Sequence, residues 1–282
     1  MLTLRARTGR QLLWTGADPW KKSYRVDLSL VSDHREHGME PLIGDPTADA
    51  RMSGLEHFLQ RYLGPRRPEF GASADEVRSV EMPAPLQRFF TFAGRWPGHN
   101  PQAPYVNRFC IQDKLCAIAR DRWAPTLQYL DNRLVFVCEN QGVWVAATER
   151  AGDDPPVWIT EECSHRATQQ VWRRLDKPLS HFLVSFVLQE LMFGSELVAV
   201  APGALEKFEG PGLPVEPVWI RGEYAQDIDR PSYFLVGERF LVRRAPDEAD
   251  GEDWYGCKDG MGAAVLRSLG MPTSLRRGAD KI

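Results

Sequence analysis

Cys163 and His165, two residues apart, are the nearest this sequence comes to a thiol nucleophile beside a general base. Such a pair works when the imidazole takes the thiol proton and a third group holds the ring in place. No orienting residue stands near them, so the pair reads as part of a loop between strands. A second cluster, Asp33-His34-Arg35-Glu36-His37, spaces two imidazoles among carboxylates, a pattern that could gather ligands for a cation if the segment were helical. Gly38 and Pro41 follow at once and the segment lacks apolar anchors, so the plainer reading is a polar linker. His57, His99 and His181 have no evident partners, and Glu139 reads as a turn builder rather than an acid.

Searches for larger catalytic patterns are negative. The chain has no G-x-x-x-x-G-K-[ST] phosphate loop, no G-x-G-x-x-G, no H-E-x-x-H and no G-x-S-x-G elbow. Five cysteines, Cys110, Cys116, Cys138, Cys163 and Cys257, form an odd set without C-x-x-C spacing, which argues against a disulfide framework and a zinc ribbon. The expectation is a non-enzymatic chain that needs neither metal nor cofactor. What remains is surface chemistry. Asp247, Glu248, Asp250, Glu252 and Asp253 crowd around Gly251 in the stretch from Pro246 to Asp253, too acidic for anything but a solvated loop. Such a loop could steer association with a basic partner. Of nine tryptophans, Trp96 lies in a Pro/Gly-rich loop and is the one expected at the surface, whereas Trp144, Trp158, Trp172, Trp219 and Trp254 fall on or beside expected strands and read as core.

Composition fits an ordinary globule, 43% hydrophobic and 26% charged over 282 residues. A net charge of -3 and a pI near 6.1 disfavour direct nucleic-acid binding, which depends on phosphate neutralisation by basic side chains. No run approaches the roughly 20 apolar residues of a membrane span. The first residues lack the apolar core and small-residue cleavage site of a secretory signal, so a cytoplasmic protein is expected.

The elements that must position these residues follow from spacing. Residues 1–50 read as an extension, 51–272 as the main domain and 273–282 as a polar tail. Ser53 is the expected N-cap of a first helix through Leu55, Phe58, Leu59 and Leu63, stopped by Gly64-Pro65. A second helix follows Pro83 and ends at Gly94. Leu134 to Ile159 alternates and breaks in the manner of a three-strand meander, interrupted at Asn140-Gln141-Gly142 and at Asp153-Asp154-Pro155-Pro156. A strand is expected around Trp172, then a buried helix from an N-cap at Ser180 to Gly194. Val215 to Arg221 reads as a strand, Ser232 to Arg244 as a hairpin folded at Gly237-Glu238, Trp254 to Lys258 as a strand and Met261 to Leu269 as a helix. Hairpins outnumber βαβ units, so the expected class is α+β with a mostly antiparallel central sheet.

The order of these segments resembles the SUKH superfamily, which includes the yeast cell-wall-assembly regulator and many bacterial immunity proteins. The matching segments are the first helix with LGPRRP, then MPAPLQRFFTFAGRWPG, VFVCENQGVWVAA with DPPVW, LSHFLVSFVLQELMFG and the late GMGAAVLRSL. The resemblance spans about Met52 to Leu269. It implies an α+β fold and a protein-binding role: an immunity protein that binds and neutralises a toxin domain, such as one of nuclease type, in a bacterial polymorphic toxin system. The alternative it implies is a regulatory or scaffold module for cell-wall or signalling proteins. It transfers no binding residues.

Overall fold

A computed structural model describes residues 41–43, 47–78, 81–94, 133–138, 144–160, 172–220, 222, 231–244 and 252–274. All belong to one compact unit, residues 33–282. The fold is α+β, as expected, but with two antiparallel sheets in place of one central sheet. Three helices come first, α1 (Ala48–Leu63), α2 (Ala74–Arg78) and α3 (Ala84–Ala93). The first sheet is a simple meander in the order β1 (Leu134–Cys138), β2 (Val145–Thr148), β3 (Pro156–Thr160) and β4 (Arg173–Pro178). Helix α4 (Leu179–Phe193) follows directly. The second sheet is then built from β5 (Leu197–Pro202), β6 (Val215–Trp219), β7 (Ser232–Val236), β8 (Phe240–Arg244) and β9 (Glu252–Cys257), with α5 (Ala204–Glu209) and α6 (Gly262–Ser268) interposed. Its strand order is β5-β9-β8-β7-β6.

Helix α4 lies at the centre because its sequence is apolar all round. Every residue from Leu179 to Met192 is buried, and the helix packs on β3 and β4 of one sheet, on β8 and β9 of the other, and on α1 and α3. Toward β1 and β2 its contacts are aromatic: Phe182 and Phe186 stack at 5.8 Å, Phe136 meets Phe182 edge-on at 5.6 Å and Trp144 meets Phe186 edge-on at 6.2 Å. Edge-on and offset rings place the positive rim of one against the negative face of the other.

The second sheet is covered on both faces, which is why β7 and β8 read as unbroken apolar runs. Tyr233, Leu235 and Leu241 face the main core with α4, while Phe234, Val236, Phe240 and Val242 face a second core closed by α5 and α6. Gly237 and Glu238 both adopt left-handed backbone, φ 54° and 58°, the geometry that lets a tight turn follow the twist of its strands.

Several sequence expectations shift. The cap of α1 is Thr47, whose Oγ1 accepts from Ala50 N–H at 3.2 Å, and Ser53 lies inside the helix. The domain reaches back into the expected extension, since Leu42 and Ile43 donate their N–H groups to Pro217 and Val218 carbonyls at 2.8 and 3.0 Å, and Ile43 is core. Strand β4 begins after Trp172 instead of centring on it, and α2, β5 and α5 were not expected. β9 starts at Glu252, so Glu252 and Asp253 belong to a strand and not to a loop. Toward the other terminus, Met271 is buried and the Pro272 carbonyl accepts from Tyr255 Oη at 2.7 Å, while 275–282 of the expected tail lie outside the described residues.

Candidate functional site

Of the acidic run, only its last two members fall within the described residues. Asp253, 1% exposed, is a structural anchor: one of its oxygens accepts from Leu205 N–H at 3.0 Å at the start of α5. Both oxygens also hold the Arg244 guanidinium, at 2.9 Å each. Arg244 in turn donates to both oxygens of Glu206 at 2.7 Å. Burial pulls the Arg244 pKa down, but the bonds and charge of Asp253 with the charge of Glu206 outweigh it and hold the guanidinium above its ordinary value. The expectation that Asp253 is a solvated contact residue is therefore corrected: a carboxylate so enclosed serves the sheet and the helix it caps. Glu252, half-buried, sits opposite Pro202. Asp247, Glu248, Asp250 and Trp96 lie outside the described residues, as do Cys163, His165, His34, His37, His99 and Glu139.

The strands decide where the acidic sequences are anchored. The pairs Ser232↔Arg244, Arg244↔Asp253 and Pro202↔Glu252 bring the start of β7, the end of β8, the start of β9 and the end of β5 to one end of the second sheet. Sequence 245–251, with Asp247, Glu248 and Asp250 and no basic residue, runs between two of these strand ends. Sequence 221–230, with Glu223, Asp227 and Asp229 against Arg221 and Arg230, enters β7 there.

Several polar groups taken into the interior are engaged structurally. On α4, His181, Ser185 and Gln189 recur one turn apart and form a buried seam against β6 and β7. His181 packs on Trp219 with ring centres 4.7 Å apart, Trp219 Nε1 donates to Ser185 Oγ at 2.9 Å, and Tyr233 Oη donates to Gln189 Oε1 at 2.8 Å. Gly222 closes this seam. A Cβ there would fall 2.4 Å from both Ser185 Oγ and Trp219 Nε1, so no side chain fits. Burial pushes the Tyr233 phenol well up, the Glu190 charge adding to it, and so keeps the phenol a neutral donor.

At the start of α4 the expected cap is reassigned. Ser180 is inside the first turn and the acceptor is Asp154, from the Asp-Asp-Pro-Pro break: its Oδ1 takes Ser180 N–H at 2.8 Å and its Oδ2 takes the Ser180 hydroxyl at 2.7 Å. A carboxylate at that end also opposes the positive pole of the helix. Arg51 of α1 completes the group by donating to Ser180 Oγ at 2.9 Å. Cys257 is buried, donates its thiol to the Asp259 carbonyl at 3.0 Å, and has its pKa pushed up by burial, the opposite of an activated nucleophile.

Among the described residues no group of three or more His, Cys, Asp or Glu could hold a metal ion, and no helix is long and apolar enough to cross a membrane. A groove of about 620 Å³ runs between α1, α2 and α3, past Glu56, Arg66, Gln87, Arg88 and Phe92. Its polar groups are spoken for. Arg88 is held by Glu56 at 2.6 and 2.8 Å, and Arg66 donates to the Thr91 and Phe92 carbonyls that end α3, at 2.8 and 3.0 Å.

No family model matches the chain, and searches of curated proteins and of solved structures returned no significant match. The reading of function therefore rests on the chain itself. The acidic stretch is legible in sequence as five carboxylates among the seven residues 247–253; the clamp at its end is not, because Arg244, Glu206 and Leu205 carry no pattern that points to Asp253.

Proposed function

We propose that this chain is a cytoplasmic, non-enzymatic protein-binding module of the immunity type, which binds a toxin domain through the acidic end of its five-stranded sheet. The observation that carries the reading is the division of labour among neighbouring carboxylates. Asp253 fixes strand, helix and arginine together, while the sequence just before it supplies three further carboxylates, Asp247, Glu248 and Asp250, with no basic residue to neutralise them. A sheet end from which such acidic sequence departs suits a partner whose own site is basic, as the substrate groove of a nuclease must be. Charge of this kind acts mainly on the rate of encounter and on the choice of partner.

The resemblance to the SUKH superfamily supports the same reading, and the structural engagement of the buried His181, Ser185, Gln189 and Cys257 fits a chain whose interior is built for stability. The test is direct binding of the purified chain to nuclease-type toxin domains. Replacing Asp247, Glu248 and Asp250 with Ser, and leaving Asp253 in place, should slow association at low salt by about tenfold or more. Binding that is absent, or that occurs at an unchanged rate, contradicts the proposal.

A further inference from the structure

The two edges of the five-stranded sheet are finished differently. On the β6 edge the chain pairs with itself, since Leu42 and Ile43 donate to the Pro217 and Val218 carbonyls. On the β5 edge no strand among the described residues pairs with the outer side. The helices leave that side alone in their main contacts: α4 packs on β8 and β9, and α5 on β9 and β6.

The direction of the free main-chain groups can be derived. Lys258 N–H donates to Arg239 O at 3.1 Å, one step past the ends of β9 and β8 and in register with Phe240↔Cys257. In an antiparallel sheet each residue sends its N–H and C=O to the same side, and successive residues alternate sides. Even-numbered residues of β9 therefore bond to β8 and odd-numbered ones to β5. Gly237 N–H donating to Pro214 O at 2.9 Å gives the same phase when counted from the other edge. With Leu197↔Cys257, Ala199↔Tyr255 and Ala201↔Asp253 in register, Leu197, Ala199 and Ala201 face β9. Val198, Val200 and Pro202 turn their main-chain groups outward.

Natural sheets protect such an edge with charges, bulges or proline. Strand β5, Leu-Val-Ala-Val-Ala-Pro, has no charged residue and no bulge in its register with β9, and its single protective feature is Pro202 at the end. We infer that β5 is an interface between two copies of this chain, which pair β5 with β5 antiparallel across a two-fold axis and join two five-stranded sheets into one. The sequence favours a copy over a foreign strand. Selecting a foreign partner requires a charge or a bulky group that rejects competitors, and β5 offers only small apolar side chains. Two-fold symmetry supplies its own complement: with Val200 opposite the copy's Val200, Ala199 meets the copy's Ala201, and Val198 N–H meets the copy's Pro202 carbonyl. No like charges face each other within the strand.

Sedimentation equilibrium of the full chain, with hydrogen exchange across residues 195–203, tests this. The expected result is a dimer whose formation slows exchange at Val198 and Val200. Val200→Pro removes an outward donor and spares the ladder to β9, so it should weaken dimerisation at least tenfold while the thermal midpoint shows a folded chain. Val200→Lys, which sets like charges opposite each other at the axis, should do the same and stands in if the proline variant fails to fold. A wild type that stays monomeric at millimolar concentration overturns the inference, as does a dimer of unchanged strength in both variants. Protection of β5 that appears only when a toxin-type domain is added also overturns it, and assigns the edge to that partner.

Discussion

Each end of the five-stranded sheet holds an arginine between two carboxylates from different elements, and the difference between the two clamps lies in burial. At the Gly237 end, Arg61 of α1 reaches Glu216 with two bonds of 2.9 and 2.8 Å and also pairs with Glu238 of the turn. The side chains there are 28%, 33% and 52% exposed, so water screens much of the attraction. At the other end the side chains of Arg244 and Glu206 are 26% and 60% exposed, yet that of Asp253 is only 2% exposed and also caps α5, so the contrast rests on this one carboxylate. The same chemistry is a surface fastening in one place and a structural bond in the other. Only the second clamp adjoins, in sequence, a stretch with three carboxylates and no basic residue, 245–251.

The largest effect that would break this comparison is at the buried clamp. Asp253→Ala leaves a half-enclosed guanidinium with one carboxylate and strips the start of α5 of its acceptor, so urea unfolding should show a loss of about 3 kcal/mol. A loss under about 1 kcal/mol would place Asp253 with the surface pairs. At the opposite end, Gly237→Val forces a β-branched residue into left-handed backbone and should cost about 1–2 kcal/mol by the same measurement. Smaller still is Glu216→Gln, with an expected loss under about 1 kcal/mol.

That third variant has a pH signature. The bond from Arg61 is the main cause that holds the Glu216 pKa below its ordinary value, with burial opposing it and the Arg61 charge helping. A depressed folded-state pKa gives stability that is present above the ordinary glutamate range and is lost as pH falls through the folded value. The gap in thermal midpoint between wild type and Glu216→Gln should therefore close as the solution is taken from neutral into that acid range. A gap that is constant with pH would remove the ionic part of the clamp.

Much of this architecture could be read from spacing. Pro83 and Gly94 bracket α3, the apolar runs on either side of Gly237-Glu238 announce the β7–β8 turn, and Leu134 to Ile159 contains the three consecutive strands of a meander. What escaped depends on partners distant in sequence. Ser180 has the residue type of a cap, but the oxygen that caps α4 belongs to Asp154, 26 positions earlier. Asp253 looks like one more solvated acid because Leu205, the group it caps, is 48 positions away. Strand β5 is six small or apolar residues with no alternation, a run that fits a strand or a short buried helix equally until β9 is beside it.

The most direct test of the central claim sets neighbours in the acidic run against each other. Asp247→Ser, Glu248→Ser and Asp250→Ser, combined, should leave the unfolding free energy within about 0.5 kcal/mol of wild type, since the described clamp carboxylates Asp253 and Glu206 are kept. The same combination should slow association, with a nuclease-type toxin domain that the wild type binds, by about tenfold or more at low salt, and the difference should shrink as salt is added. An association rate equal to wild type at every salt concentration would contradict the assignment of this end of the sheet to partner binding.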